Sequence, residues 1–168
     1  MNNSSKEFNK IELPKNSEMS KAKEEYHITL IFYKDLPEES INELRTKFNN
    51  FSFPKFEIEG NKIIAFPNKS NPELYSLGFK DISKLNELHD LVMKTIRFEG
   101  KDKFNPHITL LRKERLSSNF KESKEDYSKI KTIKIKVNSF GLYKSEPDKR
   151  MNSYSPIFII NLRKKLGS

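Results

Sequence analysis

A chain of 168 residues is long enough for one folded domain or two small lobes packed together, and a formal net charge of +9 favours anionic partners such as nucleic acid or phosphorylated ligands. It has no cysteine, which excludes disulfides, thiolate metal sites and a cysteine nucleophile and fits a reducing, cytoplasmic location. No apolar run approaches the length of a membrane span, and residues 1–16 are mostly polar without an apolar h-region, so neither a membrane segment nor a signal peptide is expected.

Residues 1–20 read as a polar N-terminal arm with one short apolar patch, Ile11 and Leu13, and residues 21–168 as a single two-lobed domain. Residues 26–33 are rich in β-branched and aromatic types and predict a buried strand. Leu36-Pro37-Glu38-Glu39 predicts a helix start, because proline and early acids suit the first turn, and Ile41, Leu44 and Phe48 supply its apolar stripe. Short strands are expected over 56–58, 62–66 and 75–79, with Gly60 and residues 68–72 as turns.

A second helix is predicted over 83–97, its face formed by Leu85, Leu88, Val92 and Ile96, with Gly100 as its stop. Residues 104–112 read as a strand and 113–129 as an exposed charged connection. Ile133, Ile135 and Val137 alternate with Lys134 and Lys136 as a half-exposed strand, and 140–143 and 157–162 complete the β content. The fold class is α+β.

One word occurs twice. His27-Ile28-Thr29-Leu30 returns as His107-Ile108-Thr109-Leu110, and these hold two of the three histidines in the chain. In a strand, positions i and i+2 share a face, so each copy presents an imidazole and a hydroxyl on one side and anchors two aliphatics on the other. Two such faces turned toward each other suit a phosphodiester. A neutral imidazole can take a proton from the attacking oxygen, a protonated one can give a proton to the leaving oxygen, and the threonines can donate to the non-bridging oxygens. No cofactor and no metal is required, and a zinc site would need a third ligand that cysteine cannot supply here.

These strings resemble the two signature strands of the two-histidine (2H) phosphoesterases, and within them the LigT-like RNA 2',3'-cyclic phosphodiesterases once called 2'-5' RNA ligases. The second copy, Phe104-Asn105-Pro106-His107-Ile108-Thr109-Leu110-Leu111-Arg112, carries most of the resemblance. Leu142-Tyr143-Lys144-Ser145 followed by Tyr154 also looks like a late segment of that family. The resemblance implies two pseudo-symmetric lobes of antiparallel sheet with outer helices around a central cleft. It further implies metal-independent opening of an RNA or nucleotide 2',3'-cyclic phosphate to a 2'-phosphomonoester, by a monomer. His27 and His107 would be the catalytic pair, Thr29 and Thr109 would bind phosphate, and Arg112 matches a family arginine near that phosphate.

Arg112 stands three residues beyond Thr109, so regular strand parity puts it on the opposite face; a bulge or strand end is needed to bring it round. Tyr26 and Phe32 share the Ile28 face and are expected in the core. Tyr33 shares the His27 face and, with Tyr154 and Tyr143, is a candidate for the cleft or for stacking on a base. His89 reads as a flanking or half-buried helix residue, and the lysines of 129–136 as a solvated strand face or a phosphate track.

Two other functions compete. One is a 2'-5' oligonucleotide or cyclic-oligonucleotide phosphodiesterase. The other is a non-catalytic RNA-binding protein, which predicts damage to one of the four signature residues; all four are intact.

Overall fold

The computed structural model describes residues 26–66, 74–100, 103–112, 130–147 and 152–164; the predicted arm, the turn at 68–72 and the connection at 113–129 lie outside them. Within the described residues the chain runs α1 (Glu39–Lys47), β1 (Phe56–Phe66), β2 (Leu74–Phe79), α2 (Ser83–Ile96), β3 (Ile108–Arg112), β4 (Ile133–Val137), β5 (Ser139–Pro147) and β6 (Asn152–Asn161). One antiparallel sheet has the order β3-β2-β1-β4, and β5 and β6 form a second, antiparallel hairpin. The α+β expectation of two antiparallel sheets with helices holds. No helix among the described residues is long and apolar enough to cross a membrane.

Each sheet has its own core. Ile63, Tyr75, Leu77, Phe79, Ile108 and Ile133 line one face of the first sheet, as period-2 alternation requires. Leu44, Phe48 and Phe53 form a second cluster, on which Phe140, Leu142, Phe158 and Ile160 of the hairpin pack. Helix α2 serves both clusters. Leu85 belongs to the first, and Leu88, Val92 and Ile96, one and more turns on, belong to the second. At its N-terminus, Asp81 accepts a 2.9 Å hydrogen bond from the Ser83 amide, which holds the Asp81 carboxyl below the usual carboxylate range.

Three predicted features come out differently. Strand β1 runs unbroken through Gly60, because this glycine serves close packing, not a turn. A Cβ there would stand 2.7 Å from Leu77 Cδ2, and the register slips by one residue between Gly60 and Lys62. Helix α2 stops before Gly100. Arg97 adopts the left-handed conformation (φ 54°, ψ 48°), and the Phe98 and Arg97 amides donate to the Met93 and Lys94 carbonyls, closing the helix end without glycine. Residues 26–33, expected as a strand, form no ladder with the other described residues and bend at Leu30.

Candidate functional site

The second tetrapeptide enters the first sheet. Ile108 pairs with Leu77 and Thr109 with Ser76, while Ile108 and Leu110 are buried in the first core. Thr109 therefore lies on the opposite face, with Ser76, Ile64 and Phe66. His107 stands just before the strand, its ring 6.1 Å from that of Phe66. The His107 Nδ1 donates to the Asn105 carbonyl at 2.8 Å. A carbonyl only accepts, so the neutral ring carries its proton on Nδ1 and its acceptor lone pair on Nε2. Pro106, buried between them, fixes φ in that short turn.

The register of β3 answers the parity problem at Arg112. Thr109 pairs with Ser76, but Leu111 pairs with Tyr75 and position 112 with Leu74. One residue, Leu110, is thus extra in β3 at a bulge. Leu74 and Ser76 alternate onto one face of β2, so position 112 falls on the same face of the sheet as Thr109.

The first tetrapeptide keeps its alternation outside the ladders of the described residues. His27 and Thr29 are exposed, whereas Tyr26, Ile28 and Leu30 are half-buried. Tyr26 and Ile28 pack on the first core and Leu30 on the second, so this segment passes between the two layers. The His27 ring lies against Tyr154 of β6, with centroids 4.4 Å apart and planes tilted by 56°. Tyr154 thereby joins the candidate site.

Beyond the bend at Leu30 the predicted faces fail. Tyr33 leaves the His27 face, packs on the second core and meets Phe98 edge-on at 5.4 Å; burial raises its phenol above the usual range, as it does for Tyr26. Phe32, expected inside, is 68% exposed. The bend reverses parity, which explains both.

Sequence reasoning missed three partners. His89, expected flanking or half-buried, is buried and stacks flat on Phe104 at 4.1 Å; Phe104 belongs to the second signature string, which was the available signal. Phe66 beside His107, and opposite Thr109 the fully buried Ser76 with no hydrogen-bond partner for its Oγ among the described residues, depend on strand pairing that no local pattern reveals. Lys134 and Lys136 face solvent beside glutamates, Glu57 lying 3.9 Å from Lys134, so this face is charge-balanced, not a basic track. Among the described residues, no group of three or more His, Asp or Glu is placed to hold a metal ion.

A chain with two antiparallel sheets and a His-x-Thr pair set against each is of a recognisable kind. It belongs to the 2'-5' RNA ligase superfamily, whose family model matches residues 3–149. It is 27% identical over 125 residues to the RNA 2',3'-cyclic phosphodiesterase of Archaeoglobus fulgidus, covering 73% of this chain and 71% of that protein. To the protein of the same name from Thermotoga maritima it is 26% identical over 129 residues, covering 74% and 68%. Its fold resembles that of E. coli LigT complexed with 3'-AMP, with a TM-score of 0.70 at 20% identity over 96% of this chain and 90% of that one.

Proposed function

We propose that this protein hydrolyses RNA 2',3'-cyclic phosphates to 2'-phosphomonoesters without a metal, using His27 and His107 as the acid-base pair. That it is a phosphodiester hydrolase follows from its family and from curated relatives that carry the name RNA 2',3'-cyclic phosphodiesterase. The observation that carries the finer reading is the Asn105 carbonyl on His107 Nδ1. It favours the tautomer whose Nε2 lone pair can take a proton, on an imidazole next to Thr109, and so supports this reading.

In the reaction, water attacks phosphorus as one imidazole takes its proton. The bond from phosphorus to O3' breaks, and the other imidazole, protonated, gives its proton to O3'. The phosphate stays on O2', and the two histidines have exchanged protonation states. Thr29 and Thr109 donate to the non-bridging oxygens, and Arg112 supplies positive charge from the Thr109 face. Each chain works alone, in the cytoplasm, on nucleotide or RNA ends.

Purified protein in EDTA should convert 2',3'-cyclic nucleotides or cyclic-phosphate-ended RNA to the 2'-phosphate. A metal requirement, or a product that is only the 3'-phosphate, sinks the mechanism. Its rate should be bell-shaped in pH, because one imidazole must start neutral and the other charged. The family description also names the 2'-5' bond. The same residues serve a 2'-5' linkage, and a panel of cyclic, 2'-5' and 3'-5' substrates ranks the two.

A further inference from the structure

The β5–β6 hairpin has an outward face that its own packing leaves unused. Phe140, Leu142, Phe158 and Ile160 point one way, onto the second core. The register pairs Gly141 with Ile159, Tyr143 with Pro156 and Ser145 with Tyr154, so these six residues share the other face. Tyr143 is 42% exposed and Ile159 38%, although both are large and apolar in body. The hairpin's ion pair, Lys144 with Glu146 at 2.8 Å, belongs to the opposite parity, so none of the six is charged. Gly141 contributes no side chain, and a Cβ there would stand 2.4 Å from the Phe158 carbonyl oxygen. The ground between Tyr143 and Ile159 is therefore kept low by the hairpin's own geometry.

This face is continuous with the candidate site. Tyr154 touches the His27 ring. Tyr143 is opposite Pro156 and so diagonal to Tyr154, a spacing that aromatic side chains bridge across a sheet.

We propose that this face, with Tyr143 at its centre, is the seat of the nucleobase of the nucleotide whose phosphate meets His27. The proposal rests on the function proposed above. A phosphate at His27 carries its base one ribose away, and the face that begins at Tyr154, against the His27 ring, is the adjoining surface. An uncharged aromatic and aliphatic shelf suits the π-face of a neutral base and offers nothing to a phosphate backbone. Its side chains offer three hydroxyls, of Ser145, Tyr143 and Tyr154, but no amide and no charged group, so the shelf holds a base by stacking more than by reading its edge. It accepts any base and favours the larger purines.

The experiment compares wild type, Tyr143→Ala and Tyr143→Phe. KM and kcat are measured for 2',3'-cyclic AMP and for base-free glycerol 1,2-cyclic phosphate, and calorimetric titrations are run with 2'-AMP and inorganic phosphate. Tyr143→Ala should raise KM for the nucleotide and weaken 2'-AMP binding by about fivefold or more, the scale of one base stacked on an aromatic ring. Its kcat, its base-free turnover and its phosphate affinity should stay unchanged, and Tyr143→Phe should behave as wild type. Equal KM and equal 2'-AMP affinity in Tyr143→Ala overturn the shelf, as does an equal loss with the base-free substrate. If wild type turns over neither cyclic phosphate, the proposed function fails, and the 2'-AMP titration still decides the shelf. Selective loss in Tyr143→Ala keeps it; no binding to wild type, or no difference, removes it.

Discussion

The two copies of His-Ile-Thr-Leu are the same four residues in two mechanical settings. The copy at 107–110 is built into a ladder, with Ile108 and Leu110 buried and the His107 ring tethered to Asn105. The copy at 27–30 joins no ladder among the described residues, its aliphatics are half-buried in two different cores, and its histidine lies against Tyr154. Alternation of faces survives in both. In each copy the burial of the aliphatics goes with His and Thr turned outward, inside a described ladder and outside one.

If the proposed chemistry holds, this difference in anchoring should vanish at the level of turnover. His27→Ala and His107→Ala should each lower kcat by about a hundred- to ten-thousandfold with circular dichroism unchanged, the usual scale for one acid-base group. Full activity in either variant removes that residue from the mechanism. Arg112→Ala should cost about a hundredfold or more in kcat if the bulge at Leu110 delivers that position to the phosphate. A loss under twofold would return Arg112 to the surface.

At the level of stability the two copies should separate. Ile108→Ala removes a buried anchor and should cost about 2–5 kcal/mol in urea unfolding. Ile28→Ala, half-buried, should cost under about 2 kcal/mol. Equal costs would mean that the first copy is as firmly held as the second.

Smaller again is the ring contact peculiar to the first copy. Tyr154→Ala should lower kcat by about two- to tenfold, the scale of one aromatic pairing, and Tyr154→Phe should restore it. The smallest effect concerns the start of α2, the helix whose His89 stacks on Phe104 ahead of the second copy. The Asp81 carboxyl is lowered by the Ser83 amide, so its contribution is present above the ordinary carboxylate range and is lost as pH falls through its folded-state value. Asp81→Asn should therefore melt slightly lower than wild type at pH 7, and the gap should close in strong acid.

Much of the site could be read from residue types alone. His and Thr two apart, between aliphatics, already specify which side chains go in and which go out. Leu85, Leu88, Val92 and Ile96 likewise declared the buried stripe of α2, since periodicity is a local property of the chain. What failed were the inferences that needed a partner. Gly60 read as a turn because no local signal says that Leu77 will press against it. Tyr33 was placed with His27 because a straight strand was assumed, and one bend at Leu30 reverses every face after it. The family resemblance had already connected Arg112 to the phosphate; the parity objection to it dissolved only when β3 was paired with β2.

The sequence by itself therefore determined the chemical groups, their division into two matched pairs and the buried faces that carry them. Tertiary structure decided how each pair is held: a ladder with a bulge for one, packing between two layers for the other. It also decided which neighbours complete them, Asn105 and Phe66 beside His107 and Tyr154 beside His27. The physical reason is range. Side-chain parity is set by bonds two residues apart, whereas a register slip or a ring contact between residues 27 and 154 exists only after distant segments have paired.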